Sequence, residues 1–208
     1  MNKLYYILLL ILFLSCNSNI YKNSINEFSD VNIKYKDGEI KNGKLSFPIF
    51  FNQDLLYLKS VKNKKSKIKT EAINEITYKS LNENIIFSKM NINGEEISPE
   101  TKNSQFLQII SNGKLSLYKG YNYGFLHKKG KHEKFLEKTD LYYCKRENEQ
   151  NLTLIYYVDN INNNDVLLKK KAEEYFSNYP EFRKSLMKKN YNPEFLITFI
   201  NKYNNENK

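Results

Sequence analysis

The chain has 208 residues, of which 40% are hydrophobic, and its 33 Lys and Arg outnumber 23 Asp and Glu to give a formal net charge of +10. That length allows one domain or two small ones, with a core that needs no covalent staples. The basic excess draws a protein towards anionic phosphates, while abundant Lys beside abundant Asn and Ile is also a plain compositional bias; both readings stay open. At the amino end, Lys3 precedes an uncharged run from Leu4 to Leu14, followed by Ser15, Cys16 and the polar Asn17, Ser18 and Asn19. The run has the length of a signal-peptide apolar region and falls short of the ~20 residues that a membrane-spanning helix needs. No second apolar run is long enough to span a bilayer.

The tetrapeptide Phe13-Leu14-Ser15-Cys16 resembles the lipobox of bacterial lipoproteins, in a form similar to those of Bacteroidota or spirochaetes. Phe13 stands where Leu is usual. The resemblance covers the first residues only. It implies a diacylglyceryl thioether on Cys16, cleavage after Ser15 and acylation of the new amino terminus. Two or more acyl chains make a stable anchor where one holds only marginally. A plain secretory signal with an incidental cysteine, or an uncleaved signal anchor, are the competing readings. Removing the first 15 of 208 residues leaves 193, and losing Lys3 lowers the charge from +10 to +9. With Cys16 acylated, Cys144 has no disulfide partner and is expected to be a buried thiol within the apolar run Leu141–Cys144.

Residues 16–30 read as a flexible tether, polar and without a sustained period. The resemblance to Bacteroidota lipoproteins implies an acidic run after the cysteine for export to the cell surface; no such run follows Cys16, so by that resemblance the periplasmic leaflet is expected. A β-rich domain or subdomain is expected over 31–92. Val31, Ile33 and Tyr35 alternate with polar residues, Asp37-Gly38 marks a hairpin turn, and Asn42-Gly43 marks a second. Leu45 and Phe47 resume the alternation up to Pro48. Strands are expected at 49–51, 55–59, 72–78 and 85–92, with 62–69 as a basic turn. The spacing of Gly38, Gly43 and Leu45, followed by Ile73 and Ile76, is similar to small SH3-like barrels, a fold that carries no activity with it.

After a polar break at 93–102, a second α/β segment is expected over 104–158. Phe106, Ile109 and Ile110 have the spacing of a helix face, with Asn112-Gly113 ending it. Residues 114–119, 140–145 and 152–158 read as strands, and 120–137 as a long hairpin or loop. A helical segment follows over 165–205. It comprises a helix capped by Asp165, one begun by Pro180 with Phe182 and Leu186 inward, and one capped by Asn192 with Pro193 in its first turn. Together these features give an α+β chain: antiparallel strands in a small barrel or sandwich-like sheets, then about three short helices.

Chemistry is thinly marked. His127 and His132 are five residues apart with three lysines between them, a poor arrangement for a cation. No phosphate loop, CxxC pair, HExxH helix or GxSxG elbow is present. The pairs Glu95-Glu96 and Glu173-Glu174 point to different sides of their elements and read as surface charge. Tyr121, Tyr123 and Phe125 lie among lysines and could stack on sugars or bases. No catalytic, cofactor or metal site is therefore expected.

The leading expectation is a cell-envelope lipoprotein with a binding or structural role, joined to the membrane through Cys16, on the periplasmic face of the outer membrane. The C-terminal helices and basic loops are its expected contact surfaces. An envelope protein, an anionic lipid or a glycan would be its partner, and no nucleic acid is expected. An exported hydrolase acting on peptidoglycan, glycan or lipid is one alternative, with His127 or His132 as base. A basic module for anionic lipid headgroups is another, using Lys62, Lys64, Lys65, Lys128, Lys129 and Lys131.

Overall fold

In the computed structural model, the described residues are 28–60, 64–79, 84–94, 97, 101–123, 127–129, 133–135, 138–158, 171–187 and 192–207. Among the described residues, twelve strands and two helices run in the order β1 (Phe28–Tyr35), β2 (Ile40–Ser46), β3 (Leu55–Lys59), β4 (Lys65–Lys69), β5 (Ile73–Tyr78), β6 (Ile85–Asn91), β7 (Ser104–Ser111), β8 (Leu115–Tyr123), β9 (His127–Lys129), β10 (Glu133–Phe135), β11 (Lys138–Arg146), β12 (Thr153–Val158), α1 (Pro180–Met187) and α2 (Pro193–Glu206). A helical stretch at 171–175 precedes α1. Ten strands form one antiparallel sheet in the order β12-β11-β8-β7-β6-β5-β1-β2-β3-β4, and β9 pairs with β10 separately. The α+β class, with a β-rich body and helices gathered at the C-terminus, is therefore observed.

The sheet coils. One cluster takes a side chain from each of the first eight strands, among them Val31, Leu45, Leu56, Ile68, Ile73, Phe87, Phe106 and Tyr121. Phe47 sets its ring edge-on to Tyr78, Phe87 and Tyr121 within this cluster. Beyond it, the same face of β8 and β11 receives the helices. Leu115, Leu117, Tyr142 and Cys144 pack with Ala172, Phe176, Phe182, Leu196 and Ile200. The opposite face of β7, β8 and β11 carries a third cluster that includes Leu107, Tyr118, Leu141 and Tyr143.

Several local expectations are corrected. Residues 104–111 form β7 rather than a helix, because both of its faces are covered: Gln105, Phe106 and Leu107 are buried in succession. Continuous burial erases the two-residue period and leaves apolar positions that mimic a helical face. Asn42-Gly43 lies inside β2 and makes no turn. A Cβ on Gly43 would come within 2.5 Å of Leu58 Cδ1 and 2.9 Å of the Lys59 carbonyl, so this glycine serves a close strand approach. The basic stretch expected as a turn contains β4 at Lys65–Lys69. Residues 49–51 form no strand, yet all are buried, and the Phe51 N–H donates to the Tyr121 carbonyl at 2.8 Å.

Other features appear where expected. Gly38 has φ +91° in the β1–β2 turn. The Asn192 side chain caps α2 by accepting from the Phe195 N–H at 2.8 Å, with Pro193 next in the chain. β6 pairs directly with β7, so the ladder continues across the polar break at 93–102.

Candidate interaction surfaces

Buried and partly buried charge interactions tie elements together. Lys119 on β8 is buried and reaches Asp140 Oδ2 on β11 at 2.7 Å. Its ammonium also lies 4.7 Å from the Tyr121 ring centre and 5.6 Å from that of Tyr142. Burial disfavours the charge, yet Tyr121 and Asp140 outweigh it and hold this amine above the ordinary lysine range.

A second group joins the sheet to the helical stretch. Arg146 donates to Glu149 Oε1 at 2.6 Å and to the Tyr175 carbonyl, and its guanidinium stacks 4.0 Å from the Tyr175 ring. The Tyr175 hydroxyl donates to Glu149 Oε2 at 2.6 Å, and the Arg146 N–H to the same oxygen at 2.8 Å. Burial would raise the Glu149 carboxyl, but these donors outweigh it and hold it below its ordinary value. Cys144 lies beneath the helices, fully buried, and burial pushes its thiol well up. It is a packing residue, as its apolar neighbours suggest.

A third polar group seats the loop after β2. Gln105 accepts from the Asn52 N–H at 2.9 Å and donates to Asn52 Oδ1 at 2.9 Å and to the Lys102 carbonyl at 2.6 Å. Asn52 takes φ 61°, a left-handed conformation that asparagine tolerates. Between the β7–β8 turn and α2 lies a cleft of about 450 Å³ lined by amides, including Asn112, Asn201 and Asn204. Its amides are engaged with the fold: Asn204 accepts from the Leu115 N–H at 3.0 Å and donates to the Leu115 carbonyl at 2.8 Å.

The solvent face of β1–β4 differs in kind. Register places Leu55 opposite Lys69, Tyr57 opposite Lys67, Lys59 opposite Lys65, and Lys44 opposite Lys59. These residues share one face, because Leu56, Leu58 and Ile68 point into the core. The Lys59 ammonium sits 3.6 Å from the centre of the Phe28 ring, and that of Lys67 lies 5.9 Å from the Tyr57 ring. Two carboxylates approach this face, Asp30 at 3.8 Å from Lys44 and Glu71 at 3.8 Å from Lys69. Large apolar side chains also stand out here: Ile40 is 62% exposed, Tyr57 50% and Leu55 41%.

Of the residues singled out from sequence, Lys64 and Lys65 are exposed at the start of β4. Lys128 and Lys129 lie on β9, paired with Lys134 and Glu133, so the structure separates them from the β4 lysines into another sheet. His127 pairs with Phe135 across that hairpin. Cys16, Lys62, Lys131 and His132 lie outside the described residues. Tyr121 is not a stacking platform; it is buried and donates to Gln108 Oε1 at 2.5 Å. Among the described residues, no group of three or more His, Cys, Asp or Glu could hold a metal ion, and no helix is long and apolar enough to cross a membrane. Sequence reasoning passed over Lys59, Lys67 and Lys69, although the alternation in Lys65-Ser66-Lys67-Ile68-Lys69 is itself a strand signature.

No family model, curated protein or solved structure matches the chain.

Proposed function

We propose that the chain is a cell-envelope lipoprotein, held at a bilayer by acyl chains on Cys16, whose folded body acts by binding. The observation that carries this reading is the uncharged run Leu4–Leu14 ending at Ser15-Cys16 behind Lys3. The arrangement of the body supports the binding role. Its Lys119–Asp140 ion pair joins β8 to β11, and Arg146 and Glu149 together hold Tyr175 of the helical stretch. Among the described residues, one solvent-facing sheet face gathers Lys44, Lys59, Lys65, Lys67 and Lys69. The periplasmic face of the outer membrane is the location that the polar, non-acidic stretch after Cys16 favours.

Labelled palmitate fed to cells making the natural chain or its Cys16→Ala variant tests the anchor. Label on the natural chain and none on the variant is the expected result. Equal label on both, or none on either, overturns the reading and reopens a plain secreted product.

A further inference from the structure

We infer that the solvent face of β2–β4 docks flat on the anionic headgroups of a phospholipid bilayer. Lys44, Lys59, Lys65, Lys67 and Lys69 supply charge, and Tyr57 and Leu55 supply shallow apolar insertion. This inference deepens the lipoprotein reading and rests on it for the choice of surface.

Three observations converge. First, the charge is one-sided. Five lysines share the face through the cross-strand register, while among the described residues Asp30 and Glu71 are the carboxylates paired with them, each at 3.8 Å. Clustered lysines at this density attract an anionic surface within a Debye length.

Second, the face is not merely charged. Tyr57 and Leu55 are half-exposed amid the lysines, and lysine stems can lie along such side chains while their heads reach phosphate. Lysines on β4 alone would be explained by protection of an edge strand from pairing. That explanation does not reach Lys44 and Lys59 on the inner strands, nor does it account for solvent-facing Leu55 and Tyr57. Apolar side chains flanked by cations match the boundary between headgroups and acyl chains.

Third, the chain enters the body beside this face. β1 starts at Phe28, and the Lys59 ammonium lies over its ring. Only Asn17–Glu27 separates Phe28 from Cys16, a reach of at most roughly 40 Å. An acylated Cys16 would therefore keep the face near the bilayer at high effective concentration.

The chain contains no tryptophan, so Tyr57→Trp places a single reporter at the centre of the face. The lipidated full chain carrying this substitution would be reconstituted in phosphatidylcholine vesicles, with or without phosphatidylglycerol. Flotation with the neutral vesicles reads the anchor, and the tryptophan reads the face. The expected result is a blue-shifted emission, quenched by brominated acyl chains, in anionic vesicles only, and reversed by molar salt.

The full chain carrying Cys16→Ala with Tyr57→Trp gives the affinity of the face itself. Adding Lys65→Glu, Lys67→Glu and Lys69→Glu should weaken its binding to anionic vesicles by about tenfold or more. Circular dichroism would confirm that the fold is retained, and the salt series on the natural face stands in if it is not. A solvent-like tryptophan in anionic vesicles overturns the inference, as does an equal shift in neutral ones. A shift produced by dextran sulfate but not by anionic vesicles would reassign the face to acidic glycans. A chain that fails to float with neutral vesicles defeats the anchor, while the reporter still decides the face.

Discussion

The two ends of the sheet solve different problems with the same strand chemistry. At the β1–β4 end one face is core and the other meets solvent, and β3 reads as strict alternation: exposed Leu55, buried Leu56, exposed Tyr57, buried Leu58. At the β7, β8 and β11 end both faces are covered. Leu115 through Tyr121 are buried without interruption, odd positions towards Leu117's helix-covered cluster and the coiled core, even positions towards Tyr118's cluster. One end keeps its charges outside, where they can meet a partner. The other takes Lys119 inside and has to surround it with Asp140, Tyr121 and Tyr142. A lysine on the open end is free to serve recognition, whereas a lysine at the closed end is committed to the fold.

The largest effect should come from the closed end. Phe182 is fully buried, with ring centres 4.1 Å from Phe176 and 5.0 Å from Phe199. Phe182→Ala should lower stability by about 3–5 kcal/mol through lost burial and an unfilled cavity. Urea unfolding followed by far-ultraviolet circular dichroism checks this. A change below about 1 kcal/mol would mean that the helices do not bear on the sheet as the packing indicates.

A smaller effect should attend Glu149. Its folded-state acidity is stronger than that of the free side chain, so its contribution to stability is present above the ordinary value of 4.5 and is lost as pH falls through the lower folded value. Glu149→Gln should cost about 1–2 kcal/mol at neutral pH, since it weakens contacts to Arg146 and Tyr175 that are partly solvated. The variant should also lose part of the acid-induced destabilisation seen in the natural chain. Denaturation curves at neutral and acidic pH compare the two. An undiminished acid response in Glu149→Gln would show that other carboxylates govern it.

The contrast between the ends also explains what the sequence disclosed. The Val31-Ile33-Tyr35 and 55–59 strands were legible because one-sided burial writes a period of two. The Asn192-Pro193 start of α2 was legible because capping is local chemistry. β7 was not, since Phe106, Leu107 and Ile109 answer to two cores at once. The candidate face was half legible. Lys64 and Lys65 stood out as a charge run, but their neighbours Lys44 and Lys59 come from other strands, and register is a tertiary property. Lys128 and Lys129 resemble them in sequence and belong to a different sheet. The Arg146–Glu149–Tyr175 group spans 29 residues and needed the helices in place before it could be recognised.

The smallest effect is expected at the open end, and it sharpens the contrast most. Leu55→Ser and Tyr57→Ser remove large apolar side chains, the same kind of change that is costly at Phe182. Both residues are about half exposed, however, and neither belongs to a buried cluster. Each substitution should therefore move stability by no more than about 0.5 kcal/mol, because surface changes away from caps, cores and ion-pair networks rarely do more. Replacing solvent-exposed apolar area can even be mildly favourable. Thermal melts of the two variants beside the natural chain provide the measurement. A loss of 2 kcal/mol or so, on the scale of a buried leucine, would show that Leu55 and Tyr57 are structural and are not held available for a surface. Near-neutral stability combined with weakened binding to anionic vesicles would separate the two roles cleanly: these side chains would then be kept exposed for what they touch outside the molecule.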